Sequence, residues 1–206
     1  MAKNSEELAQ ARKEEIIRVC AQLYETMNFK DVTLKEIGSI TSFTRTLIYY
    51  YFHTKEEIFL ALLQQEYEAW IADLNEICAS HQTLTAEQFA DELALSLQRR
   101  RRLLKLLSMN HYDMEANSRM ENLVAFKTAY GNSMRAVRRC LKKFFPQMTA
   151  SDQQEFIFAF FPFMFGIYPY TVVTEKQKEA LKRSHTDYLF LSIRDITRSM
   201  VIKLLR

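Results

Sequence analysis

The chain has 206 residues, a formal net charge of +3, 48% hydrophobic side chains, and only 3 glycines and 3 prolines. Those two residue types usually make up roughly 12% of a protein, and here they are far scarcer. Tight turns need Gly or Pro, so sandwiches, barrels and glycine-rich phosphate loops are excluded. What remains is an all-α protein of long elements and few connections.

The positive charge is mild and does not by itself identify a nucleic-acid partner. Cys20, Cys78 and Cys140 are widely spaced, form no CxxC pair and fall in apolar helical stretches. They predict reduced, buried thiols in a cytoplasmic protein. The opening MAKNSEELAQARKEE is too charged for a signal peptide. Residues 156–173 carry no charge, but Pro162, Gly166 and Pro169 interrupt them and no Lys/Arg cluster flanks them. A buried helix followed by an aromatic loop is expected there, with no membrane partner.

Helix starts are marked by Ser/Thr followed three residues later by Glu/Gln, which satisfies two backbone donors at once. The pattern stands at Thr33/Glu36, Thr54/Glu57, Thr85/Gln88, Ser118/Glu121, Ser151/Gln154 and Thr174/Gln177. A first helix is predicted over 5–27, with Ile16, Ile17, Cys20, Ala21 and Tyr24 on its apolar face. Short helices follow at 34–40 and 45–51. A long one starts after Thr54 and reaches toward Ala79, and others are expected near 86–107, 119–144, 152–165 and 185–205.

Two short helices joined across Thr41-Ser42-Phe43, the second starting at Thr44, have the form of a helix-turn-helix, whose second helix enters the major groove of DNA. On that helix Ile48 and Phe52 share one side and can pack on Ile37 and Phe43. Arg45, Thr46, Tyr49 and Tyr50 project from the other. A guanidinium at Arg45 can read guanine through two parallel hydrogen bonds. The phenols suit phosphate oxygens. Thr33 and Lys55 sit at helix N-termini, where exposed amides attract phosphate.

Residues 12–60 resemble the amino-terminal domain of the TetR/AcrR family of transcriptional regulators. The stretches that carry the resemblance are RKEEIIRVCAQLY, TLKEIG and TRTLIYYYFHTKEEIF, with the family's Tyr–x–x–Phe and following Lys standing as Tyr49, Phe52 and Lys55. Three positions depart from the pattern. Ser42 replaces a turn glycine, Gly38 stands where alanine is usual, and Asn28 replaces the glycine after the first helix. The resemblance implies that Arg45, Thr46 and Tyr50 face bases and that Thr33, Tyr49, Tyr51 and Lys55 face phosphates, with Thr44 completing the DNA-contact set. It implies a homodimer on a palindromic double-stranded DNA operator, usually repressing a nearby gene. The expected division is a helix-turn-helix domain at 1–54 and a helical effector and dimerisation domain at 55–206.

Beyond residue 56 the side chains must speak for themselves. The last helix carries Leu189, Ile193, Ile196, Met200 and Leu204 as a stripe that needs a partner. With Phe156, Phe160 and Met164 it is expected to form a four-helix dimer interface. Met109, Tyr112, Phe126, Tyr130 and Met134 are expected to line an apolar cavity for an unknown, lipophilic small-molecule effector. The basic runs at 99–102 and 138–143 read as solvated faces. No cofactor, metal site or enzyme motif is expected: His53, His81, His111 and His185 show no HExxH spacing, and there is no GxSxG or Walker sequence. The rival reading is a helical lipid or small-molecule carrier whose helix-turn-helix no longer binds DNA.

Overall fold

The computed structural model describes residues 2–109 and 111–206, with side chains from residue 5 onward. In chain order the helices are α1 (Ala2–Thr26), α2 (Leu34–Ile40), α3 (Arg45–Tyr51), α4 (Lys55–Ser80), α5 (Ala86–Arg99), α6 (Arg101–Leu107), α7 (His111–Ala116), α8 (Met120–Phe144), α9 (Ala150–Thr171), α10 (Glu175–Arg183) and α11 (Ile193–Leu204). The described residues contain no strand, so the fold is all-α as composition requires. The chain divides into two compact units, Met1–Glu66 with Asn110–Tyr130, and Tyr67–Met109 with Gly131–Arg206. Both α4 and α8 therefore begin in the first unit and end in the second.

In the first unit α1 buries Ile16, Ile17, Val19, Cys20 and Tyr24, the face its apolar spacing predicts. The start of α4 supplies Ile58, Phe59, Leu62 and Leu63. Phe59 is met edge-on by Tyr24 at 5.1 Å and by Phe29 at 4.7 Å between ring centroids, a favoured aromatic geometry. Burial pushes the Cys20 thiol up to about 12, with the Lys55 charge pulling the other way.

The second unit is centred on Trp70, fully buried beside Phe160 and Phe161. Its indole N–H donates to Ser96 Oγ at 3.0 Å, and that hydroxyl donates to the Leu93 carbonyl. A buried indole thus has the partner it needs. Phe89 of α5 packs against Phe144 and Phe145. α11 lies on α5 and α9, burying Ile193, Thr197 and Val201, and Arg194 forks onto both carboxylate oxygens of Asp91.

Several elements depart from the sequence expectation. The helix expected at 86–107 breaks at Arg100, whose φ of −94° and ψ of 41° are non-helical. Its guanidinium makes two 2.7 Å bonds to Asp73, and this bidentate pair rewards the break. The basic run 99–102 is therefore not a uniform solvated turn. α9 runs to Thr171, through Pro162 and Pro169, because packing on α6 and α11 outweighs proline's unfavourable helix propensity. Its capping box is Thr149/Asp152 rather than Ser151/Gln154. α10 starts at the Thr174/Gln177 capping box that the sequence marks, although no helix range was assigned to it, and it buries none of its residues. Tyr188 to Leu191 precede α11 in non-helical chain. Among the described residues no single helix is long and apolar enough to cross a membrane.

Thr197 is fully buried, and among the described residues its hydroxyl has no hydrogen-bond partner. Replacing such a group by a methyl removes a desolvation penalty. Thr197→Val is expected to raise unfolding free energy by about 1 kcal/mol in urea titration.

Candidate nucleic-acid interface

The first unit presents α3 with one face in and one face out. Ile48 and Phe52 are buried with Ile37 of α2, while Thr44, Arg45, Thr46, Tyr49 and Tyr50 are exposed, Tyr50 to 75%. This aromatic and cationic strip lies on the solvent side of a seven-residue helix. Arg45 Nη2 donates to Tyr49 Oη at 2.8 Å, and the guanidinium lies 5.3 Å from the Tyr49 ring centroid. A guanidinium carries several N–H donors, so this one bond orients the fork without exhausting it. Tyr51, in contrast, is buried and meets the Tyr50 ring edge-on at 5.1 Å.

α2 is closed at its start by Thr33, whose hydroxyl accepts from the Glu36 N–H at 3.2 Å. Lys55, like Thr33 expected near phosphate, donates to the Phe29 carbonyl at 2.9 Å and sits 4.3 Å over the Phe29 ring. Its ammonium ties the turn after α1 to the start of α4. The turn before α3 is held by Glu15 of α1, which accepts from the Ser42 N–H at 2.9 Å and from the Ser42 hydroxyl at 3.3 Å. Ser42 and Asn28 both keep negative φ; among the described residues only His185, at φ 51°, is a non-glycine in the left-handed region. The glycines expected at 28 and 42 are therefore dispensable here, and a carboxylate secures the turn instead.

Glu57 is the group the sequence does not advertise. It is 1% exposed, yet both carboxylate oxygens are satisfied. Oε2 accepts from the His53 N–H at 2.8 Å, immediately after α3. Oε1 accepts from the Arg119 N–H at 3.0 Å and from Arg119 Nε at 2.7 Å, and Arg119 Nη2 reaches Oε2 at 2.9 Å. Arg119 also donates to the Tyr51 carbonyl at 2.9 Å, the last residue of α3. Thr54 completes the joint by accepting from the Glu57 N–H and donating to the Asn117 carbonyl. Burial raises the Glu57 pKa, but the Arg119 and His53 donors outweigh it and leave the carboxyl at about 2. Arg119 is correspondingly raised, chiefly by its bond to Glu57.

The remaining expected site residues divide by burial. Phe156, Phe160 and Met164, expected between two chains, are covered by their own unit, packed with Trp70 or facing its core. Ile193 is likewise buried, while Ile196, Met200 and Leu204 are half-covered and Leu189 is 74% exposed. The uncovered edge of α9 is instead Phe158, Pro162, Gly166 and Pro169, where a Cβ built on Gly166 meets nothing within 4 Å. Of the expected effector residues, Tyr112 is 86% exposed, Phe126 is buried 6.5 Å from the Tyr130 ring, and Met109 and Met134 are half-buried in the second unit. Burial raises the Tyr130 pKa. An apolar groove of about 440 Å³ lies elsewhere in the second unit, lined by Pro169, Tyr170, Val173, Leu181 and Tyr188 among others. The only sequence sign of it was the uncharged aromatic run. Among the described residues no cluster of His, Cys, Asp or Glu could hold a metal ion.

A buried-backed recognition helix and a second helical unit define a helix-turn-helix protein. Residues 16–62 match the family model for bacterial regulatory proteins of the tetR family, and residues 64–206 match the model for the tetracyclin repressor-like C-terminal domain. The chain belongs to the TetR family of transcriptional regulators. Its fold is similar to that of the fatty acid degradation regulator FadR from Bacillus halodurans, at 12% identity, TM-score 0.60, covering 95% of this chain and 96% of that one. It is similar to the MbdR regulator from Azoarcus sp. CIB, at 16% identity and TM-score 0.54 over 94% and 98%. The TetR-family repressor AlkX from Dietzia sp., implicated in biodegradation of n-alkanes, aligns at 12% identity and TM-score 0.51 over 94% and 95%. No curated protein matches the chain.

Two tests follow from this geometry. Glu57 has a folded pKa near 2 against an ordinary 4.5. Its stabilising effect is thus complete above pH 4.5 and is lost as pH falls from there through 2. Chemical denaturation across that window should show wild type losing stability more steeply than Glu57→Gln, which is weaker at neutral pH and flatter in acid. At Gly38, an added Cβ would sit 3.4 Å from Ile48 Cδ1, an ordinary contact. Gly38→Ala is expected to stabilise the protein by up to ~1 kcal/mol.

Proposed function

We propose that the chain is a ligand-responsive transcriptional repressor without catalytic activity, binding a palindromic duplex as a homodimer. Residues 1–54 form the DNA-binding domain, and 55–206 bind the effector and the second chain. The observation that carries this reading is the solvent-facing strip Thr44, Arg45, Thr46, Tyr49 and Tyr50 on a helix whose opposite side is buried. Arg45, Thr46 and Tyr50 read bases. Thr33, Tyr49, Tyr51 and Lys55 contribute phosphate contacts, Tyr51 with little of its side chain exposed.

Dimerisation follows from the need to set two such strips about 34–36 Å apart on one DNA face. The uncovered α9 edge, headed by Phe158 at 66% exposure, is the surface that supports it. The half-covered Ile196, Met200 and Leu204 of α11 and the exposed Leu189 flank that contact. The effector is lipophilic, in keeping with the FadR and AlkX relatives, whose names concern fatty acids and n-alkanes. It shifts DNA affinity by binding two conformations unequally.

Selection from random duplexes at defined salt, followed by gel shift, tests the DNA reading. Arg45→Ala should cost ~1–3 kcal/mol and relax sequence choice at one position of each half-site. Equal affinity for every duplex, unmoved by that substitution, would instead favour a helical carrier. Phe158→Glu should yield a monomer in analytical ultracentrifugation and lose cooperative binding to the palindrome. A chain-length series of alkyl carboxylates, titrated against the protein–DNA complex, checks effector class through release of the duplex.

A further inference from the structure

Cys78 on α4 and Cys140 on α8 lie within the second unit, 62 residues apart in sequence, with their sulfur atoms 2.8 Å apart. A disulfide bond is ~2.05 Å long, so closing it needs less than ~1 Å of sulfur movement. The pair is not a chance approach of mobile side chains, because the two helices are tied on either side of it. Arg139 donates to Asn75 Oδ1 at 2.7 Å, and Lys143 Nζ donates to the Cys78 carbonyl at 2.6 Å. Cys140 is buried and its thiol donates to the Leu74 carbonyl at 3.5 Å, whereas Cys78 is partly open to solvent.

We propose that Cys78 and Cys140 form a reversible oxidation site that closes to an intrachain disulfide on reaction with a hydroperoxide. The open thiol reacts first: the Cys78 thiolate attacks a peroxide oxygen, the O–O bond breaks, and the departing hydroxide takes a proton to leave as water. Cys78 is then a sulfenic acid. The Cys140 sulfur attacks it, the S–O bond breaks, and the Cys140 proton leaves with the hydroxide as a second water. Two thiols and one hydrogen peroxide thus give one disulfide and two waters. Burial, and then the neighbouring thiol, hold the Cys140 pKa above the ordinary range. Cys140 is therefore a poor first target, and its contribution is proximity. In cytosolic proteins a disulfide of this kind is ordinarily transient or redox-sensing. Here it would strap α4 to α8 without touching the recognition strip, and it stands independently of the DNA-binding reading.

The full-length reduced protein is exposed to hydrogen peroxide, alkylated with N-ethylmaleimide, digested and mapped by mass spectrometry. The expected product is a linked pair of peptides carrying Cys78 and Cys140, lighter by two hydrogens and restored by dithiothreitol, with Cys20 still a thiol. In Cys140→Ser, dimedone should trap a sulfenic acid at Cys78 that wild type does not accumulate. In Cys78→Ser, Cys140 should remain reduced under the same exposure. Wild-type protein in which Cys78 is singly oxidised, or joined to another chain, while Cys140 stays alkylatable would overturn the proposal. Oxidation of Cys140 in Cys78→Ser at the wild-type rate would overturn the assigned order.

Discussion

The recognition helix depends on one buried carboxylate. α3 is seven residues long, too short to hold itself in water, and its N-terminal Thr44 makes no side-chain cap. Its C-terminal end is fixed by Glu57 and Arg119, which together engage the His53 N–H and the Tyr51 carbonyl. A carboxylate this deeply buried is tolerable only because every oxygen is bonded. Its loss would leave the other charge stranded. The same logic recurs at the opposite end of the motif, where Glu15 holds the Ser42 turn. Two carboxylates from flanking helices thus frame a helix that carries almost no internal support.

How much of this the sequence discloses depends on how local the cause is. The scarcity of glycine and proline, the capping patterns and the 3.6-residue apolar spacing are local. They lead directly to an all-α chain, to α2 and α3 at their observed bounds, and to an α3 split between a buried and an exposed face. The long-range pairings were not legible. Nothing local links Glu57 to Arg119 across 62 positions, or Asp73 to Arg100 across 27. Arg100 shows the consequence: a run of four arginines looks like a solvated turn until one of them finds a carboxylate and the helix breaks there. Phe156, Phe160 and Met164, buried within a single chain, make a related point. Apolar spacing states that a face is buried, but not whether it is buried by its own chain or by another.

The chain passes between the two units inside α4 and α8, which start beside the Glu57–Arg119 joint and end with Cys78 and Cys140 in the second unit. The chain thus runs from the joint into the second unit through continuous helix and not through loop.

The central claim is that the Glu57–Arg119 joint, and not the intrinsic stability of α3, keeps the recognition strip in place. Native-state hydrogen exchange on Arg119→Ala and wild type measures this directly. Protection of the Ile48 and Phe52 amides, which donate to the Thr44 and Ile48 carbonyls, should fall sharply while amides of α5 and α11 keep theirs. Unchanged protection across α3, or an equal loss in both units, would contradict the account.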